Sequence, residues 1–190
     1  MASDAERCTE HERIRKIDAA FRAGDLTALR AAVEDPDVVP NGQMPLEIGP
    51  CLEYAIYHSP LPFIRQLLEI GANPNPEHHI GFPPLIAALS CSHSHPGSRG
   101  RDDVVEILRV LLAFGADPHQ RGVNDYTALH MAVAERNLEA VKVLLEAGAN
   151  PSIKTRIDDC ETPREMAEAA GLADIARLLA AHEGSRGGQS

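Results

Sequence analysis

Leu67-Leu-Glu-Ile-Gly-Ala-Asn-Pro74, Leu111-Leu-Ala-Phe-Gly-Ala-Asp-Pro118 and Leu144-Leu-Glu-Ala-Gly-Ala-Asn-Pro151 are three copies of one octapeptide. Each reads as the end of a helix followed by a loop. Gly71, Gly115 and Gly148 stand just past an apolar helical run, where a residue without a Cβ takes positive φ at little steric cost. The prolines at 74, 118 and 151 then keep the helix from resuming. Fainter copies of the leucine pair lie at Ala32-Val33 and Leu178-Leu179. From starts at 32, 67, 111, 144 and 178, the steps are 35, 44, 33 and 34 residues. A recurring step of this size marks stacked repeats, five in all, with about 11 extra residues in the third.

The fourth unit is the most complete. Its Asp125-Tyr-Thr-Ala-Leu-His-Met-Ala132, Leu138-Glu-Ala-Val141 and octapeptide at 144–151 resemble the ankyrin repeat, whose signature is Thr-Pro-Leu-His-x-Ala. A tetratricopeptide repeat has a similar period but lacks the Gly-Ala-Asn-Pro ending. The other units depart at the signature, with Pro50-Cys-Leu-Glu53, Pro83-Pro-Leu-Ile86 and Thr162-Pro-Arg-Glu165. His130 is the one histidine of the family type, so the hydrogen bonds such a histidine makes are expected mainly in its repeat. The resemblance covers roughly residues 12–182. It implies an all-α ankyrin-repeat solenoid of five helix-turn-helix repeats joined by β-hairpin-like finger loops. The expected layout is a disordered N-terminus at 1–10, one domain over 11–182 and a disordered tail at 183–190. Within the domain, the repeats fall at 11–41, 42–76, 77–120, 121–153 and 154–182.

Local chemistry supports this division without the family. Thr162-Pro-Arg-Glu165 reads as a capping box with proline at the first helical position. Ser59-Pro-Leu-Pro62 opens another helix, and Pro62 is tolerable in a first turn whose amides lack intrahelical partners. Leu138, Val141, Leu144 and Leu145 form one apolar stripe. A helix pair is too small to bury such a stripe alone, so neighbouring repeats must cover it.

Composition narrows the function. Of 190 residues, 44% are hydrophobic and only 4% aromatic, which suits Ala/Leu helix packing. With 28 acids against 18 bases, the formal net charge of −10 disfavours nucleic acid, whose affinity comes largely from phosphate neutralisation. The basic group Arg13, Arg15, Lys16 and Arg22 reads as the solvated face of the first helix. A basic protein partner is compatible with the acidity, although net charge also serves solubility. No apolar run reaches the length of a membrane span, and Met1–Cys8 has no apolar signal core. Cys8, Cys51, Cys91 and Cys160 sit in different units, as reduced thiols would. A cytoplasmic location is expected.

Three regions are candidates for function. The first is the concave surface expected of this fold, made of finger loops and inner helices. Its fingers carry Glu77, His78 and His79, then His119, Gln120, Arg121, Asn124 and Tyr126, then Arg156 and Asp158. Its inner-helix positions are Tyr57, His58, Ser90, Glu135 and Arg136. Tyr, Arg and His on rigid loops suit protein recognition. Phe82 and Tyr126 could equally pack beneath the fingers as supports. The second is the insertion at 91–101, where Cys91, His93 and His95 are weak metal candidates. Three ligands fall short of the four that a structural zinc site takes, and a plain loop is thermodynamically acceptable. The third is catalysis by Cys91 with a neighbouring histidine, for which no orienting carboxylate or phosphate loop is evident.

The sequence therefore predicts a non-enzymatic protein-binding module without cofactor, binding another protein and neither nucleic acid nor membrane. Ala-, Arg- and Gly-rich wording is in keeping with a small bacterial ankyrin protein. An immunity protein against a basic toxin and a host-directed effector are then alternatives. A metal-binding or redox module on the insertion is the alternative from another class.

Overall fold

The computed structural model describes residues 4–42, 44–45, 49–76, 82–91, 100–122, 125–157 and 160–186. Among these residues the regular structure is all helical, with no strand. The chain forms two compact units, residues 1–81 and 82–190.

In the first unit, α1 (Asp4–Ala23) packs against α2 (Leu26–Ala32), and α3 (Cys51–His58) against α4 (Leu61–Glu69). Between the pairs lies a short 3-10 turn, Pro36–Val38, whose Asp35 carboxylate accepts from the Asp37 N–H at 3.0 Å. The core is built on Ile17, Phe21, Leu29, Ile56, Phe63, Ile64 and Leu67, all buried. Phe21 meets Phe63 edge-on at 5.9 Å between ring centroids. α1 starts at Asp4, well before the expected boundary at 11. Its exposed face is stitched by Arg13–Glu10, Lys16–Glu12 and Arg22–Asp18 pairs one turn apart, spacings that support a solvent-facing helix.

The second unit has three helix pairs: α5 (Pro84–Ser90) with α6 (Val104–Ala113), α7 (Ala128–Ala134) with α8 (Leu138–Glu146), and α9 (Pro163–Ala169) with α10 (Ala173–Arg186). α7 packs against both α5 and α9, and α8 against both α6 and α10. Each pair thus buries its stripe on the next. Leu85, Leu89, Ile107, Leu108, Leu111, Leu129, Val141, Leu144 and Leu179 form the interior. Leu138 stays half-buried, whereas Val141, Leu144 and Leu145 are buried, so the stripe holds from its second member onward. α10 continues past 182 to Arg186. Arg164 on α9 reaches Glu183 at 3.1 Å and ties down those last turns.

The octapeptide has one structure in all three copies. Gly71, Gly115 and Gly148 have φ of 96°, 85° and 89°. The N–H of the following alanine returns to the carbonyl of the first leucine, at 2.9 Å for Ala72 to Leu67, 3.0 Å for Ala116 to Leu111 and 2.9 Å for Ala149 to Leu144. These bonds satisfy carbonyls that the helix end leaves open. The alanines are themselves buried, which accounts for a small apolar residue there. The Asn or Asp that follows turns the chain: Asn73, Asp117 and Asn150 accept from the N–H two residues on, at 2.9, 2.9 and 3.0 Å. The capping box also forms, with Glu165 N–H on Thr162 Oγ1 at 3.2 Å and Thr162 N–H on Glu165 Oε2 at 2.7 Å. Among the described residues, the two fingers of the second unit are hairpin-like in being closed by backbone bonds, Gly122 N–H to the Tyr126 carbonyl at 2.8 Å and Thr155 N–H to the Glu161 carbonyl at 3.1 Å.

Candidate partner-binding surface

Asp125 organises the two fingers of the second unit. It is a buried acid with φ of 58°, a conformation that Asp tolerates better than most residues. Its carboxylate accepts from the Arg156 backbone N–H at 2.5 Å, from Arg156 Nε at 2.9 Å and from Arg121 Nη1 at 2.5 Å. Arg121 also donates to the Lys154 carbonyl at 3.0 Å, crossing to the next finger. Arg156 is the strongest influence holding the Asp125 carboxyl below the usual carboxylate range, against the cost of burial. Arg121 and Arg156, expected as partner anchors, thus also tie one finger to the other. Arg156 still exposes 73% of its side chain, next to an exposed Ile157.

Beneath this tie lies His130. Thr127 N–H donates to its Nδ1 at 3.2 Å, and the Thr127 hydroxyl lies 2.8 Å from the same nitrogen. Nε2 stands 3.2 Å from the Glu161 carbonyl, so the neutral ring carries its proton on Nε2 and donates it across to the next repeat. Burial is the main cause lowering the pKa of His130, with the bond to Glu161 opposing it. Tyr126 stacks on the ring at 5.6 Å, in keeping with the expected support role. Phe82 does not share it: it is 42% exposed.

His119 has a structural duty as well. Its Nε2 accepts from the Asn150 N–H at 3.0 Å, and its Nδ1 lies 3.2 Å from Asp117. Gln120 is half-buried beside it, with its N–H on the Asp117 carbonyl at 3.2 Å. At the ends of the inner helices, Ser90 and Arg136 are exposed and Glu135 is buried. Arg136 has φ of 53° at the position where other helix ends in this chain carry glycine. Ser90 Oγ donates back to the Ala87 carbonyl at 2.8 Å.

In the first unit, Tyr57 and His58 are half-buried on α3, their rings 6.2 Å apart. Tyr54, not among the residues expected from the sequence, packs on His58: its ring lies 4.3 Å from His58 and 4.9 Å from Phe21. Its hydroxyl donates to Asp18 at 2.6 Å, and Arg22 Nε donates to both oxygens of that carboxylate at 2.9 Å. Burial, reinforced by Asp18, pushes the Tyr54 phenol up to about 12. Burial works against the Asp18 carboxylate, but the bonds from Arg22 and Tyr54 hold its pKa below the ordinary value. A tyrosine one helical turn before His58 was the available signal.

The insertion is closed at its base by a bond from Arg101 N–H to the Cys91 carbonyl at 2.8 Å. Arg101 grips Asp103 through Nε at 2.8 Å and Nη2 at 2.7 Å. Cys91 is half-buried with its Sγ on the Ala87 carbonyl at 3.3 Å, and burial pushes its thiol up to about 11. At neutral pH it is therefore a thiol, the opposite of what a nucleophile needs. Glu77, His78, His79, His93, His95, Asn124 and Asp158 lie outside the described residues. Among the described residues no cluster of three or more metal-ligating side chains occurs, and no helix is long and apolar enough to cross a membrane.

Helix pairs stacked at a fixed period, with glycine-closed helix ends and cross-tied loops, define a helical repeat protein. A family model described as "Ankyrin repeats (3 copies)" matches residues 52–155 and 95–188. The chain belongs to the ankyrin-repeat family. It is similar to cyclin-dependent kinase 4 inhibitor B of Rattus norvegicus, 32% identical over 126 residues, covering 64% of this chain and 83% of that protein. It is also similar to E3 ubiquitin-protein ligase KEG of Arabidopsis thaliana, 30% identical over 117 residues, 61% of this chain and 7% of that one. Similarity to glycerophosphocholine phosphodiesterase gde1 of Schizosaccharomyces pombe is 39% identity over 75 residues, 40% of this chain and 6% of that one. The chain thus spans a small fraction of the ligase and the phosphodiesterase.

Proposed function

We propose that this chain is a non-enzymatic protein-binding module that engages a partner through its finger loops and inner helices. The observation carrying this reading is the Asp125 tie. It holds two successive fingers in one arrangement, so Tyr126, Arg156 and Ile157 meet a partner with little ordering cost. The high thiol pKa of Cys91 speaks against the redox alternative. A net charge of −10 favours a basic partner. Cytoplasmic residence belongs to the same proposal.

Inhibition of a partner enzyme by masking is the second reading, favoured by a match that spans 83% of a kinase inhibitor. An immunity protein against a basic toxin would be one case, and a host-directed effector another. Affinity capture from native lysate tests the module, with Ser90→Arg and Arg136→Glu as variants at exposed inner-helix ends. Capture should fail for both variants while helicity is unchanged. Unchanged capture by both would reject the surface.

A further inference from the structure

We propose that a groove in the first unit, beside the N-terminal helix, takes an aliphatic side chain flanked by basic residues on a partner protein. This rests on the protein-binding reading above and adds a second contact, away from the fingers of the second unit. The groove encloses about 180 Å³ and is lined by Arg13 and Ile17 of α1, by Val33, Glu34, Asp35 and Val38 after α2, and by Pro45. Its character is divided. Ile17, Val33, Val38 and Pro45 supply an apolar lining. Glu34 and Asp35 are exposed acids on the same groove, and Glu10 and Asp37 lie near it in sequence.

Arg13 carries the second observation. Its Nη1 pairs with Glu34 and its Nη2 with Glu10 at 2.6 Å, but its Nε is buried with no acceptor among the described residues. The acids then select what flanks the inserted side chain. Glu34, with 81% of its side chain exposed, can pair with a partner's Lys or Arg, and Asp35 offers a second contact. An acidic or purely polar segment would meet repulsion at the rim or leave the apolar lining wet. The occupant that satisfies lining and rim together is a short basic-aliphatic-basic stretch of an extended chain.

The test is a methyl NMR titration of the full chain with Ac-Arg-Leu-Arg-NH2, using Ac-Glu-Leu-Glu-NH2 and Ac-Arg-Gly-Arg-NH2 as controls. Saturable shifts are expected at Ile17, Val33 and Val38 with the first peptide, and binding about tenfold weaker with each control. Glu34→Gln, which removes the rim charge without setting a second cation beside Arg13, should lower the affinity for Ac-Arg-Leu-Arg-NH2 severalfold. Val38→Ala should weaken it too, by enlarging the groove at its lining. Equal binding of the Arg-Leu-Arg and Glu-Leu-Glu peptides, or no shift at these three residues, overturns the proposal. Shifts confined to the methyls of Ile157 overturn it while leaving the finger reading standing. Groove shifts that persist alongside unchanged capture by Ser90→Arg and Arg136→Glu reject the finger surface instead.

Discussion

The turn after α4 and the turn after α8 have the same backbone and different clasps. In the first, Asn73 N–H donates to Asn41 Oδ1 at 2.8 Å, and Asn41 Nδ2 donates to the Gly71 carbonyl at 2.7 Å. In the second, Asn150 N–H donates to His119 Nε2 at 3.0 Å, with His119 Nδ1 resting on Asp117. One clasp is a neutral amide that serves the turn with both donor and acceptor. The other is an imidazole that serves it with an acceptor only and passes its second nitrogen back to its own turn. The same structural need is met by two chemistries. The octapeptide fixes the shape of the turn, and the residue one period earlier decides what holds it.

The comparison can be broken most forcefully at the leucines. Leu67→Ala and Leu144→Ala both remove a fully buried side chain at the same place in the motif. Each should cost ~2–5 kcal/mol in a urea melt. A loss well below that range at one of them would show that the two turns are not packed alike. Asp125→Ala comes next. It removes the acceptor for one backbone N–H and two guanidinium groups, and should cost ~1–3 kcal/mol. Amide exchange should quicken at Arg156 and Thr155 and stay unchanged in the first unit.

Gly148→Ala should cost ~1–2 kcal/mol purely from its φ of 89°, since a Cβ there meets nothing within 4 Å. Asn41→Ala and His119→Ala should each cost ~1 kcal/mol, read as faster exchange of the Asn73 and Asn150 amides respectively. His119→Asn should restore protection at Asn150 if the two clasps are interchangeable. The smallest effect is pH dependence. His130 has a folded pKa below its unfolded value, so its contribution is complete above the unfolded pKa and is lost as pH falls below it. Melting midpoints should therefore drop between pH 7.5 and 5.5, and less so in His130→Gln. An equal drop in both would clear His130.

What the sequence made legible was local. The helix ends at Gly71, Gly115 and Gly148, the capping box at Thr162 and the proline-opened α4 depend on residues within a turn of one another, and their spacing is visible in the chain. The family histidine was legible too, because His130 bonds first to Thr127, three residues away. The ties that shape the candidate surface are of another kind. Asp125 meets Arg156 across 31 residues and Tyr54 meets Asp18 across 36, and neither side of either pair is marked by its own neighbours. Asn41 and His119 were recoverable in principle, since each precedes its target turn by nearly one repeat. Arg121 and Arg156 looked like anchors because exposed arginines on loops so often are; the buried carboxylate between them gives both a structural duty.

The closed base of the insertion has a consequence for how this chain can vary. Cys91 and Arg101 are joined through the backbone, and Arg101 is braced by Asp103 at the start of α6, so the two ends of that loop are held at a set separation by groups outside residues 92–99. With its ends held in this way, the loop is the place in this repeat where a change of length should least disturb the register of α5 against α6. The third repeat therefore contains a natural splice point. A lineage could diversify there, or an engineer could graft a displayed peptide, while the repeats on either side go on reading the same ruler.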